Sequence, residues 1–365
     1  MSENKKKDLN AEELNTFQSE DEPTVPPPEV IAYNELRSCA DLYRMFEDGI
    51  LEIQPPYQRE VVWKNPAQTR FIDSLIKHLP IPSMCFSYDY NQQKWQVIDG
   101  LQRMTSIINF LSGGIGKLST LEDINPAISG QPVKKFKDRE SKLHKYYRQV
   151  ENLTLPINVL RCDLTNDDHT NYIFSIFHRL NSGGTKLNNQ EIRNGIFSGP
   201  FNDLLNALNQ DARWMRINLM NKPDGYRFIK QELILRMFAF SENLALYDGH
   251  LARFLNSYMR ENRFNNDKAI ASKRDTFEAT VSIVSEKIFA DGIESRVGTS
   301  VLEGILVGVS ANISHLKSKS SNYLKGLYEQ LLQSREFSSE SLLEGLARKE
   351  RVINRLDRAR TIFST

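Results

Sequence analysis

Met84-Cys85-Phe86-Ser87-Tyr88-Asp89-Tyr90, followed by Trp95-Gln96-Val97-Ile98-Asp99-Gly100-Leu101-Gln102-Arg103-Met104, is the stretch from which the fold is best read. Met84, Phe86, Tyr88 and Tyr90 alternate with Cys85, Ser87 and Asp89, a period of two that sends successive side chains to opposite faces of a strand. A short polar turn, Asn91 to Lys94, leads into a second strand over Trp95–Ile98. After Asp99-Gly100 the apolar positions become Met104, Ile107, Ile108 and Leu111, which is helical spacing, and Gly113-Gly114 closes that helix. The order is strand, turn, strand, glycine turn, helix.

Upstream, Asn65-Pro66-Ala67-Gln68 reads as a helix start: a side-chain cap, a proline at the first helical position and a glutamine placed to reach back. Phe71, Ile72, Leu75, Ile76 and Leu79 form its buried stripe, and Pro80-Ile81-Pro82 ends it. Tyr33 to Phe46 is read as a short helix with Leu36, Leu42, Tyr43 and Phe46 along one side, stopping before Gly49. Residues 1 to 29 are polar, end in Pro26-Pro27-Pro28 and lack a hydrophobic period, so they are expected to be a disordered tail. Downstream, residues 115 to 150 are less regular, Leu153–Leu160 reads as another strand, and helical periods then dominate, as in Leu251, Phe254, Leu255, Tyr258 and Met259. The expected organisation is α+β: an N-terminal domain over 30–165 with a small mixed sheet flanked by helices, then an all-helical domain over 166–365.

With 365 residues the chain can hold two separate cores, and its 40% hydrophobic and 25% charged content is that of a globular protein. The net charge of +1 gives no overall field toward polyanions, so any nucleic-acid contact must come from a local patch. Cys39, Cys85 and Cys162 are odd in number and widely spaced, which fits neither a disulfide framework nor a zinc site and points to a reducing, cytoplasmic setting. No apolar run approaches a signal peptide or the ~20 residues of a membrane span, so no membrane association is expected.

The chemistry is sought where the second strand meets its helix. Such a turn exposes the helix's first amide groups, whose dipole favours an anion. Gly100 permits close backbone approach, Arg103 can fork onto phosphate oxygens, Gln102 could orient a water or a ribose, and Asp99 could hold a magnesium ion that bridges phosphates. An Asp-Gly turn before a helix is common, however, and Arg103 could instead pair with a neighbour. Pro55-Pro56-Tyr57-Gln58-Arg59 repeats the Gln-Arg pair in a proline-stiffened segment, so Arg59 could face the same anion, with Tyr57 as a stacking surface.

Taken in order, Pro-Pro-Tyr-Gln-Arg (55 to 59), Val62-Trp63, Leu79-Pro80-Ile81-Pro82, Val97 to Arg103 and Phe177-His178-Arg179-Leu180-Asn181-Ser182-Gly183-Gly184 resemble the GmrSD-type restriction N-terminal domain family, from about residue 33 to at least 240. The resemblance implies a ParB/sulfiredoxin-like core. It also implies nucleotide binding and hydrolysis, in a system that restricts foreign or modified DNA, carried by Asp99, Gly100, Gln102 and Arg103 with Gln58 and Arg59 in support. Leu101 departs from the family's Asp-Gly-Gln-Gln-Arg, which puts turnover in question if that position meets ligand. Many larger relatives add a His-centred HNH nuclease domain, and none of His78, His144, His169, His178, His250 and His315 has a partner at ligand spacing, so none is expected within this chain.

Asn181, Gly183 and Gly184 could form an amide-lined anion cradle to which Arg193 brings charge, although Asn188 with Glu191 reads equally well as a helix-opening box. Two basic regions remain. Lys134 to Arg148, with Tyr146 and Tyr147 among its cations, is a candidate DNA contact; Arg351, Arg355 and Arg358, on one helical face but diluted by Glu350 and Asp357, read better as a solvated face. The leading reading is a magnesium-dependent nucleoside triphosphatase. The alternative is a non-hydrolysing DNA- or nucleotide-binding module that recruits a separate effector protein, and a homo-oligomer is compatible with either.

Overall fold

A computed structural model describes residues 26–53, 63–180, 188–220, 228–293, 297–342 and 345–365. The chain is α+β and divides into two compact units, Thr24–Lys186 and, from Leu187, the remainder to Thr365. A change of domain near residue 165 is the sequence expectation. The division instead falls after Lys186, because the helix Asp167–Leu180 packs on strands of the first unit. The tail expected over 1–29 lies, up to residue 25, outside the described residues.

The first unit holds a five-stranded mixed sheet in the order β1-β5-β3-β4-β2, with β1 Ile31–Ser38, β2 Leu51–Glu52, β3 Met84–Asp89, β4 Lys94–Asp99 and β5 Thr154–Cys162. β3 pairs antiparallel with β4 and parallel with β5, while β1 runs antiparallel along β5. The alternation read in Met84–Tyr90 is therefore a central strand buried on both faces, as expected where both sides of a sheet are covered. Met84, Phe86, Trp95, Val97, Ile157 and Val159 join one core with the helices α1 Cys39–Glu47, α2 Asn65–Ile76, α3 Leu101–Ser112 and α5 His144–Asn152. Side chains of opposite parity, Cys85, Ile98 and Cys162, are buried as well, and α6, Asp167–Leu180, packs on β4 and β5. Asp89 closes the hairpin by accepting the amides of Asn91 and Gln92.

Two local expectations are corrected. Tyr33 to Phe46 is not one helix: its first part is β1, and Ser38 caps α1 by accepting the amide of Asp41 at 3.0 Å. Leu36 is accordingly 71% exposed on an edge strand instead of lining a helix, whereas Leu42 is buried as expected. Asn65 does not cap α2. Lys64 occupies the cap without a side-chain bond, the Asn65 amide reaches Lys117 O, and Gln68 donates to Trp63 O. The irregular insert contributes α4, Val133–Lys137, and α5, whose Val133, Phe136 and Val150 are fully buried, so it is part of the core and not a loop laid over it.

From Leu187 onward the described residues form helices and turns without a strand. Helix α10, Ile229–Asn243, α13, Thr299–Ala311, and α16, Lys349–Phe363, are central to this unit. α13 presents Gly304 and Gly308 to its neighbours: a Cβ at Gly304 would lie 2.5 Å from the Phe337 ring, and one at Gly308 2.5 Å from the Phe363 ring and 2.9 Å from Ala359 O. The spacing of four puts both on one face, so α16 approaches nearly to backbone contact. No helix among the described residues is long and apolar enough to cross a membrane.

Candidate anion site at the start of helix α3

β4 passes into α3 through Gly100, whose φ of 96° is left-handed, a conformation that glycine alone adopts without steric cost. A second constraint reinforces the first, because a Cβ at Gly100 would lie 2.5 Å from Met84 Cγ. The space freed on that side is thus occupied by the Met84 side chain. Among the described residues no side chain caps the helix, and the dipole and amides of a helix's first turn favour an anion.

Asp99 and Arg103 flank this turn as an ion pair, Arg103 Nη2 to Asp99 Oδ2 at 2.8 Å. Arg103 also donates through Nη1 to Pro82 O, and Ser83 O lies within 3.4 Å of it. Its side chain is only 15% exposed against 38% for that of Asp99, so the carboxylate, more than the guanidinium, faces solvent here. The pairing with a neighbour that the sequence left open is realised, and it fixes the Leu79 to Pro82 connection to the helix start. Next to Asp99 in the β3–β4 register stands Cys85, whose thiol is pushed up to about 12 by burial and, secondarily, by the Asp99 charge.

Gln102 has a defined role. Its Oε1 accepts the backbone amide of Trp63 at 2.9 Å, while Gln68 Nε2 donates to Trp63 O at 2.7 Å and Asn109 donates to Gln68 Oε1 at 3.2 Å. The Trp63 ring meets Phe71 edge to face at 5.7 Å. Gln68, Asn109 and Trp63 are absent from the site read in the sequence, and only their shared amide chemistry could have signalled them. Tyr57, Gln58, Arg59, Asn181, Gly183 and Gly184 lie outside the described residues, so the convergence of two Gln-Arg pairs rests on sequence alone.

Arg193 belongs to the second unit. Its guanidinium is 1% exposed, pairs with Glu232 at 2.8 Å and donates to Asn256 Oδ1 at 3.0 Å. The helix carrying it opens with the expected box, in which Asn188 Oδ1 accepts the Glu191 amide and Glu191 Oε2 accepts that of Asn188. Of the arginines near the C terminus read as a solvated face, Arg351 is exposed and Arg358 half-buried, but Arg355 is buried against Glu303 at 3.1 Å, and nearby Arg360 donates to Phe240 O at 2.6 Å. By contrast Lys134, Lys135, Lys137, Arg139, Lys142, Lys145 and Arg148 are all exposed. Among the described residues no three His, Cys, Asp or Glu gather at metal-ligating distance.

Fold and site together define an α+β unit with a glycine-entered strand-to-helix corner, followed in the chain by a helical unit. Residues 40–198 match the family described as GmrSD restriction endonuclease, N-terminal domain. The match is shorter at both ends than the resemblance read from 33 to 240 but contains every motif on which that reading stood. No curated protein and no solved structure matches the chain.

Proposed function

We propose that the chain is the nucleotide-binding, magnesium-dependent NTP-hydrolysing module of a restriction or phage-defence system. The observation that carries this reading is the first turn of α3, capped by no side chain among the described residues, entered through left-handed Gly100 and bordered by Asp99 and Arg103. The amides of that turn receive phosphate oxygens, and Arg103, once drawn from Asp99 to the ligand, stabilises charge on the transferred group. The partly exposed Asp99 carboxylate is the residue that would hold magnesium, which would neutralise phosphate charge when bound. Gln102, or Gln58 from outside the described residues, orients the attacking water.

The test is phosphate release from a panel of nucleoside triphosphates with magnesium. The wild-type chain is expected to turn over one of them, and Arg103→Ala to lose that turnover while circular dichroism reports a retained fold. A chain that binds nucleotide without releasing phosphate removes hydrolysis from this reading.

A second reading, a binding module without hydrolysis that recruits a separate effector, is favoured by one fact: Gln102 and Arg103 are already engaged by backbone groups of the protein. Under either reading the exposed cations from Lys134 to Arg148 contact DNA phosphates, with Lys145 lying 4.9 Å over the Tyr146 ring. Affinity for duplex DNA should then fall steeply with salt, and no binding at low salt would remove the DNA contact.

A further inference from the structure

In the helical unit, Arg355 stands at the end of a buried chain of alternating charge, Arg193, Glu232, Arg236, Glu303, Arg355. Glu303 is 1% exposed and divides its carboxylate, one oxygen 3.4 Å from Arg236 and the other 3.1 Å from Arg355. The charge of Arg355 is therefore met by half of a carboxylate. Its Nε, buried in a side chain that is 2% exposed, has no hydrogen-bond partner. A buried cation so incompletely matched is costly unless something else supplies negative charge.

Arg355 also lines a cavity of about 320 Å³, together with Arg335, Arg351, Asn354, Ser341 and Glu336. Its walls are fixed. Arg335 sits on a 3-10 turn, Arg335–Phe337, whose Phe337 ring is seated over Gly304, one residue from Glu303. Ser341 Oγ donates to Arg335 O at 2.8 Å and Arg351 Nη1 to Ser341 O at 3.2 Å, so rim and α16 are held together. Arg351 and Arg355, four apart on α16, present guanidinium groups from one face. Among the described residues the cavity thus has three arginines and one acid on its walls.

We propose that this cavity binds a small phosphorylated ligand, a phosphate monoester or diphosphate of metabolite size. Guanidinium forks match phosphate oxygens in geometry as well as charge, and about 300 Å³ is the lower end of the range for small-molecule sites. A duplex nucleic acid does not fit such a volume. The site lies wholly in the unit from Leu187 onward and does not rest on the nucleotide site at Asp99.

The experiment is isothermal titration calorimetry of the full chain with inorganic pyrophosphate and with AMP, at constant ionic strength. Two single substitutions on the exposed or half-buried rim, Arg335→Gln and Glu336→Gln, leave the buried pairs intact. Arg335→Gln is expected to weaken binding of at least one probe about tenfold or more, as for the loss of a charge-assisted hydrogen bond. Glu336→Gln is expected to tighten it roughly threefold by removing an opposing charge from the wall. Binding of neither probe, or binding that Arg335→Gln leaves unchanged, overturns the proposal. Loss of phosphate release in Arg103→Ala with pyrophosphate still sensitive to Arg335→Gln would separate this site from the first.

Discussion

The amide of Trp63 is held by Oε1 of Gln102, across 39 positions of sequence, at 2.9 Å. With Gln68 donating to Trp63 O, both backbone polar groups of Trp63 are satisfied by glutamine side chains, one from each of α2 and α3. The residue that looks most like a catalytic glutamine is thus also a strut. Gln102→Ala strands a partly buried amide and is expected to cost about 1–3 kcal/mol. Gln102→Glu keeps an acceptor and should retain most of that stability. Urea unfolding followed by circular dichroism checks both, and equal midpoints for all three proteins would show that the bond carries nothing.

Gly100→Ala meets two penalties at once, a left-handed φ of 96° and a Cβ 2.5 Å from Met84. The backbone penalty alone is about 1–2 kcal/mol. Combining it with Met84→Ala should relieve the clash but not the backbone term, so the double variant is expected to lose less than the sum of the two singles. Strict additivity in thermal or urea unfolding would contradict the close approach.

At the other end of the chain, Gly308→Ala places a methyl against Ala359 O and the Phe363 ring, so α13 and α16 must move apart. Overpacking of this kind is expected to cost about 1–3 kcal/mol. Gly326, where a Cβ meets nothing within 4 Å, is the control: Gly326→Ala lies inside an exposed part of a helix and should stabilise by about 0.5–1 kcal/mol through helix propensity.

Burial opposes the charge of Glu232, but the charges and hydrogen bonds of Arg236 and Arg193 outweigh it and hold its carboxyl below the ordinary 4.5. A carboxylate with a depressed folded pKa adds stability that is complete above its unfolded value and lost as pH falls through the folded one. Acidification below about pH 4.5 should therefore erode the helical unit more steeply in the wild type than in Glu232→Gln, which starts weaker. Parallel pH profiles for the two would show that the network does not carry this linkage.

How much of this the sequence disclosed depends on where each partner lies in the chain. The strand, glycine turn and helix from Met84 to Ser112 are local, so their periods read true. β1 is different: its register is set by β5, with Ile31 opposite Arg161 and Ser38 opposite Thr154. Much of it is exposed, so neither the alternation of a half-buried strand nor a clear apolar stripe marks it, and the helical period of α1 next to it spreads backward into Tyr33 and Leu36. The candidate site was legible as a set of residue types at a turn. What each does there was only partly legible: the pairing of Arg103 with Asp99 is local, but its other acceptors are carbonyl groups 20 and 21 positions away, and a carbonyl carries no sequence signature. Arg355 was misplaced for the same reason, since its counter-charge stands on another helix at Glu303.

All the cysteines of the chain fall in the sheet-bearing half, at 39, 85 and 162, where burial pushes each thiol up to about 12. The helical half has none. Alkylation by a thiol reagent is consequently a clock that ticks only when the sheet opens, and its rate reports breathing of one half of the molecule without labels or engineering. Added nucleotide should slow that clock if it seats at Asp99, whereas a ligand held beside Arg355 should leave it running as before.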